Sequence, residues 1–600
     1  MASSTWTTFH QHEALTTRIA NILDEYPPGV STLREYVQNA DDAGASTLVL
    51  CLDASVRTPD PAGYPTAALA EYSGPSLLVY NDATFSEKDF ASLSSIGKSR
   101  KREDAATIGR YGLGFNVSYH LTDVVQFISG ETVVLFDPHG RALPDGQLGM
   151  RSKFTDGLGK EYPALLDPLL GPLARLASLG EGSQSSASID YASPVDGTLF
   201  RLPLRTAEQA ANSELSQRAI TAEEVRSLLV ALCDSGLGEM LLFTQSLTKV
   251  VVCVLEANGE LTSLGAASVD SAADDTRYQR AALARIARTP SSASSGEETA
   301  TIPTVSDSPL LFDLHLTIDA ADGTSSSEEW LVCGGALVEE EASLLAAALG
   351  QPAAWAAVAL PMQHREQPLR GRAFCFLPLP LPSGLPCHVN GCFALTSNRR
   401  ELWEEDADKS ALSGSDQQHQ RKARWNHLLC SKALPPLYAH ALEHLASAQP
   451  EQLGALLPTG AEGHGALWRG LQRATLRELH ARESRVCVCY SAEDTLHLEP
   501  LNGVVVSEDV HLAKGRDYRR LRAALASKGF NVWAAEPGAV EAFEAAGKPM
   551  RRAEPRNVCE WLGGLDPAAW EHDLAAQLLS FVLDARDETP RDGEGDGDGG

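Results

Sequence analysis

The stretch Ser31-Thr32-Leu33-Arg34-Glu35-Tyr36-Val37-Gln38-Asn39-Ala40-Asp41-Asp42-Ala43-Gly44 decides how this chain is read. Pro27, Pro28 and Gly29 precede it, Ser31 suits an N-cap and Gly44 suits a stop. One helix of about three turns is predicted between them. Leu33, Tyr36, Val37 and Ala40 form its apolar stripe. Glu35, Asn39 and Asp42 stand at i, i+4 and i+7 and share a different face. A carboxylate, an amide and a second carboxylate therefore line one side, whereas an ordinary surface helix places Lys or Arg among them. Arg34 is the nearest cation, and it points elsewhere. Taken alone, the pattern also describes a solvated polar face.

Outward from this helix, residues 46–53 (STLVLCLD) and 76–80 (SLLVY) read as buried strands, as do 124–129, 132–136 and 198–204. Tyr80-Asn81-Asp82-Ala83-Thr84-Phe85 follows the second strand. It is either an Asn-Asp turn or a carboxylate presented to the exocyclic amine of a purine. Ile96-Gly97-Lys98-Ser99-Arg100-Lys101-Arg102 is a basic segment suited to cover a phosphate site. Next comes Gly109-Arg110-Tyr111-Gly112-Leu113-Gly114-Phe115, whose glycines let a backbone turn tightly against a ligand. A helix starting just after them would aim free N–H groups at a phosphate. The order G-x-x-G-x-G is neither the dinucleotide fingerprint nor a P-loop.

The whole chain sets the bounds. Its 600 residues, 43% apolar and 22% charged, describe several globular domains rather than a disordered polymer. A net charge of −29 disfavours nucleic acid and anionic membranes as partners. Eleven scattered cysteines read as buried thiols in a reducing compartment, not as a disulfide scaffold or zinc site. With no secretory signal, and no apolar run near the ~18 residues of a membrane helix, a cytoplasmic protein is expected. Residues 180–196 and 289–309 read as surface loops, and the acidic Gly-rich 586–600 as a disordered tail. Strand patterns return at 240–255, 310–318, 330–333 and 372–379, and helical periods at 425–446 and 467–482.

In their order (helix with Glu and Asn, strand with an acidic turn, basic segment, glycine loop, then Gly197-Thr198 opening a strand) these pieces resemble the ATPase superfamily of gyrase, the 90-kDa heat-shock chaperone, histidine kinases and mismatch-repair proteins (the GHKL group). Within it, LREYVQNADDAG, LVYNDATFSEKDF, IGKSRK, GRYGLGFNVSYHLTDV and LFDPHG are similar to the N-terminal repeat domain of the sacsin family. The likeness continues at GTLFRLPLR (197–205), GRAFCFLPLPLPSGLPCHVNGCFALTSNRRELW (371–403) and WNHLLCSKALPPLYAHAL (425–442).

The resemblance implies roles. Glu35 would be the general base that polarises water, and Asn39 would hold Mg2+ against the ATP phosphates, with Asp42 lining the same pocket. Asn81 or Asp82 would meet the adenine amine, supported by Thr198. Lys98 and Ser99 would lie in a lid. Gly109, Gly112, Gly114 and Phe115 would cradle phosphate, and Arg399 or Arg400 would reach the terminal phosphate from a second domain. The superfamily's D-x-G-x-G motif is replaced here by Asn81-Asp82-Ala83-Thr84-Phe85, which leaves the register of the aspartate open.

The resemblance also implies an α/β (α+β) fold. Residues 1–205 would form a two-layer ATP-binding sandwich with a mixed sheet covered by helices on one face. A middle α/β domain would span 206–403 and a mainly helical region 404–585. The implied function is an ATP-driven chaperone or co-chaperone acting on protein clients, with slow Mg2+-dependent hydrolysis. The alternative is a nucleotide-binding regulatory or scaffold module without significant hydrolysis.

Overall fold

The computed structural model describes residues 13–58, 60–93, 114–181, 190–270, 274–288, 303–365, 367–396, 401–404, 414–460, 464–491, 493, 495–507, 512, 518–535, 538–547, 549–563 and 572–587. Their strands are β1 (Thr47–Asp53), β2 (Ser76–Asn81), β3 (Val125–Gly130), β4 (Thr132–Phe136), β5 (Gly149–Lys153), β6 (Val195–Pro203), β7 (Lys249–Leu255), β8 (Leu261–Val269), β9 (Leu310–Ala320), β10 (Ser325–Leu337), β11 (Ala354–Pro361), β12 (Arg372–Cys375), β13 (Leu377–Pro382) and β14 (His388–Gly391). These fourteen form one sheet in the order β13-β12-β14-β11-β10-β9-β8-β7-β1-β2-β6-β3-β4-β5. The fold is mixed α/β, as expected.

β1 sits at the centre, antiparallel to β2 and parallel to β7. Every residue of TLVLCLD is buried. Leu48, Leu50 and Leu52 join the core beneath helices α1 (Leu15–Glu25) and α2 (Val30–Asp42). Val49 and Cys51 join a second core on the opposite face, filled by Leu166, Leu169, Leu170, Leu173 and Leu176 of the helix Pro163–Glu181. Burial on both faces is why the strand reads as an unbroken apolar run. The expectation of a sheet covered on one face only is therefore corrected. The second-face helix was hidden by Pro168 and Pro172 inside it, because interior prolines argue against a helix.

The pairing of β1 with β7 carries one sheet across residue 206. The strand pattern at 372–379 resolves into two strands: Phe376 turns with φ 65° and β12 folds back on β13. β13 is an edge strand of sequence LPLPLP. Proline at every second position removes backbone donors that would otherwise invite another strand. The helical run 425–446 is interrupted by a π-turn, Leu429–Ala433, between the helices Gly414–Leu428 and Leu434–Ala448. Beyond it, the helix Ala466–Ala481 leads into a small four-stranded sheet in the order β16-β15-β18-β17. Its strands are β15 (Arg485–Tyr490), β16 (Leu496–Pro500), β17 (Val504–Ser507) and β18 (Asn531–Ala534). No described helix is long and apolar enough to cross a membrane. The loop readings at 182–189 and 289–302 and the tail at 588–600 fall outside the described residues.

Candidate functional site

α2 begins one residue before Ser31, with Gly29 at its N-cap and no side-chain cap bond. Its end matches expectation. Gly44 has φ 80°, its N–H donates to Asp41 O at 3.0 Å, and Ala45 N–H donates to Ala40 O at 3.0 Å. That pair of bonds is a Schellman motif. Leu33, Tyr36, Val37 and Ala40 are buried, while Glu35, Asn39 and Asp42 are half-buried along the other face. Arg34 does leave that face: it donates to Pro378 O and Ser235 Oγ, each at 3.2 Å. Burial, and then the neighbouring Arg372, hold its pKa below the ordinary guanidinium value.

Asp41 has a role that the sequence did not reveal. Its buried carboxylate accepts backbone N–H groups from Gln245, Ser246 and Leu247 at 2.7–3.0 Å. Arg280 binds the same segment through the carbonyls of Thr244 and Leu247, at 3.0 and 2.6 Å. Of the two adjacent aspartates, one is thus an anchor for the approach to β7 and the other faces the candidate site.

β2 delivers Asn81 and Asp82. Leu77 and Val79 face the α2 core and Leu78 and Tyr80 face the other, so alternation puts Asn81 on the α2 side. Asn81 pairs in register with Thr198 of β6. Its Oδ1 accepts the Ala83 N–H at 3.1 Å. Asp82 turns back to β1, where Oδ1 accepts N–H groups of Ser46 at 2.8 Å and Thr47 at 3.1 Å, and Oδ2 accepts the Ser46 hydroxyl. Thr198 is fully buried, and its hydroxyl donates to Ala83 O at 2.7 Å and meets Ser129 Oγ at 2.7 Å. Gly197 has φ 100°, and a Cβ there would lie 2.5 Å from Asn81 O. Gly197 is thus required by how closely β6 approaches the 81–84 turn.

Lys98, Ser99, Gly109 and Gly112 lie outside the described residues, as do Arg399 and Arg400. Gly114 opens a seven-residue helix of 3-10 type, Gly114–His120. Phe115 packs edge-on to Tyr119 and Phe136, with centroids at 6.2 and 5.7 Å, and lies 6.1 Å from Phe200. Ser118 Oγ and Tyr36 OH are 2.9 Å apart, so the segment leaving the glycines is bonded directly to α2. Burial pushes the Tyr36 phenol well above its ordinary pKa and keeps it neutral. Behind this segment the fully buried Arg205 donates to Asp123 Oδ1 at 2.8 Å and to the carbonyls of Tyr119, His120 and Thr122 at 2.6, 3.2 and 3.0 Å. Asp123 also accepts the Ser213 hydroxyl at 2.9 Å. The aspartate of LTDV and the arginine of LPLR are therefore one buried ion pair.

The neighbours of Arg399 and Arg400 are held in a comparable way. Thr396 N–H donates to Glu401 O at 3.0 Å. Asn426, fully buried, accepts Ala394 N–H at 2.8 Å and donates to Ala394 O and Trp403 O at 2.9 Å. Among the described residues no cluster of three or more His, Cys, Asp or Glu could hold a metal ion.

Residues 12–264 match the Sacsin domain family model. Human sacsin is 30% identical over 501 residues, which is 72% of this chain and 10% of that protein. The chain thus spans about a tenth of the human protein's length. A solved structure titled as the N-terminal domain of a DNA repair protein aligns with 68% of this chain and 95% of its own, at 8% identity. Its TM-score of 0.29 is too low to bear on the fold. The motifs in α2, β2, the segment after the glycines and β6 fall inside the matched region, and the chain is a sacsin-like protein.

Proposed function

We propose that residues 12–264 bind ATP with Mg2+ and hydrolyse it slowly, and that the chain has a chaperone-related role on protein clients, in keeping with its sacsin likeness. The bond between Tyr36 and Ser118 carries the reading, because it ties the segment emerging from the glycine turn to the helix that bears Glu35 and Asn39. The Arg205–Asp123 pair holds the same Gly114–Asp123 segment from behind, which supports a phosphate-binding role for the glycines that precede it.

The residues present fit the group. Mg2+ bound with phosphates keeps several waters and takes only one or two protein oxygens, a demand the half-buried Asn39 amide meets. Bound there, the ion would neutralise phosphate charge. Glu35 lies one turn before Asn39 and would orient and deprotonate water without holding the metal. Backbone N–H groups of the glycine-rich segment would bind the phosphates.

The test is steady-state turnover beside equilibrium ATP affinity. Glu35→Ala should hold affinity within a few-fold and lower turnover by about 10²–10⁴. Asn39→Ala should weaken the magnesium-dependent part of binding itself. Negligible turnover in both wild type and Glu35→Ala, at equal affinity, would remove the enzyme and leave a binding module.

A further inference from the structure

The end of β2 offers a purine base a different group from the carboxylate that the superfamily resemblance implies there. Asp82 is not turned towards the α2 side of the sheet: both its oxygens are bonded to Ser46 and Thr47 at the start of β1. Asn81 is on that side, 7% exposed, with the fully buried Thr198 as its register partner. Its orientation is fixed, because Oδ1 accepts the Ala83 N–H. The amide nitrogen, which finds no partner among the described residues, is what remains. Thr198 cannot supply a donor in its place, since its proton goes to Ala83 O. The polar edge left at this end of the sheet is a hydrogen-bond donor.

We propose that Asn81 sets base selection in this site by donating its amide N–H to an acceptor on the base, so that 6-oxopurine triphosphates bind as well as ATP. The inference rests on the nucleotide reading above and sharpens its substrate class. A carboxylate at this position would accept from the adenine N6 amine and reject a base carrying oxygen there, since two acceptors would face each other. An amide donor reverses that preference. It pairs with O6 of hypoxanthine or guanine, and with N1 of adenine, so adenine is accepted but not selected. A site that leaves a buried polar group unpaired against the wrong ligand discriminates strongly, and a site with a matched donor for both does not.

Inosine triphosphate is the cleanest probe, because it differs from ATP at the Watson–Crick edge without the added bulk of guanine's 2-amino group. The measurement is the Mg2+-dependent affinity of the full chain for ATP and for ITP, by titration calorimetry. Wild type should bind the two within about threefold, and Asn81→Asp should favour ATP by about tenfold or more. Asp82→Asn should lower the melting temperature through the Ser46–Thr47 turn and leave the ATP/ITP ratio unchanged. A tenfold preference of wild type for ATP, or a ratio that moves with Asp82 rather than Asn81, overturns the proposal while nucleotide binding stands. Binding of neither triphosphate overturns the nucleotide reading, and this inference with it. If Asn81→Asp does not fold, the wild-type ratio alone decides.

Discussion

Two segments, one running from Gly114 to Asp123 and one bounded by Ala394 and Trp403, are each held by one fully buried polar side chain, and the two anchors differ in charge. In the first segment, Arg205 gathers the carbonyls of Tyr119, His120 and Thr122 and is neutralised by Asp123. Beside Arg399 and Arg400, Asn426 binds both backbone groups of Ala394 and the carbonyl of Trp403 with an uncharged amide. The first anchor is a guanidinium fork that reaches several carbonyls at once but demands a counter-ion. The second imitates a strand partner and demands none. Loss of the first anchor strands a buried carboxylate, whereas loss of the second strands only neutral groups.

Arg205→Ala should lower unfolding stability by about 3–5 kcal/mol, the cost of leaving one member of a buried ion pair unpaired. Denaturant unfolding reads this. A loss no larger than that of an exposed pair would mean Asp123 does not need its partner. Asn426→Ala should cost on the order of 1–3 kcal/mol by the same assay, because the orphaned groups are neutral. Equal losses at the two sites would erase the distinction drawn between them.

A third measurement sharpens the contrast through acidity. His388 on β14, in the same 371–403 motif as the segment that Asn426 holds, is fully buried between Trp330 and Phe374. Burial, with Arg372 and Arg365 nearby, pushes its pKa down to about 3. The folded value lies below the unfolded ~6.5, so the histidine is neutral in the fold. Its contribution is fully present above about pH 6.5 and is lost as pH falls towards 3, by ~1.4 kcal/mol per unit. His388→Gln should flatten the acid limb of a stability–pH curve by that slope. An unchanged limb would show that His388 does not drive acid unfolding.

Much of the candidate site was legible in advance because it is local. The face shared by Glu35, Asn39 and Asp42 follows from 3.6 residues per turn, and the stop at Gly44 from its freedom to take φ 80°. β1, β2, β3, β4 and β6 could be read from apolar runs bounded by turn residues. Two features gave no local signal. The helix Pro163–Glu181 carries prolines that its packing tolerates, and the turn at Phe376 gives no glycine signal.

By itself the sequence determined which residues lie on one helix face, where α2 stops, which strands are buried, and to which family the motifs belong. Only the tertiary structure decided how neighbouring acidic and amide groups divide their work. Asp41 is bonded to residues 245–247 and Asp82 to residues 46–47, while Asp42 stays on the half-buried face and Asn81 on the α2 side of the sheet. Asp123 and Arg205, 82 positions apart, became one ion pair. A side chain's periodicity is a property of the residues beside it, but its hydrogen-bond partner is whatever the folded chain brings within about 3 Å. That partner lies tens to hundreds of residues away, where no local pattern reaches.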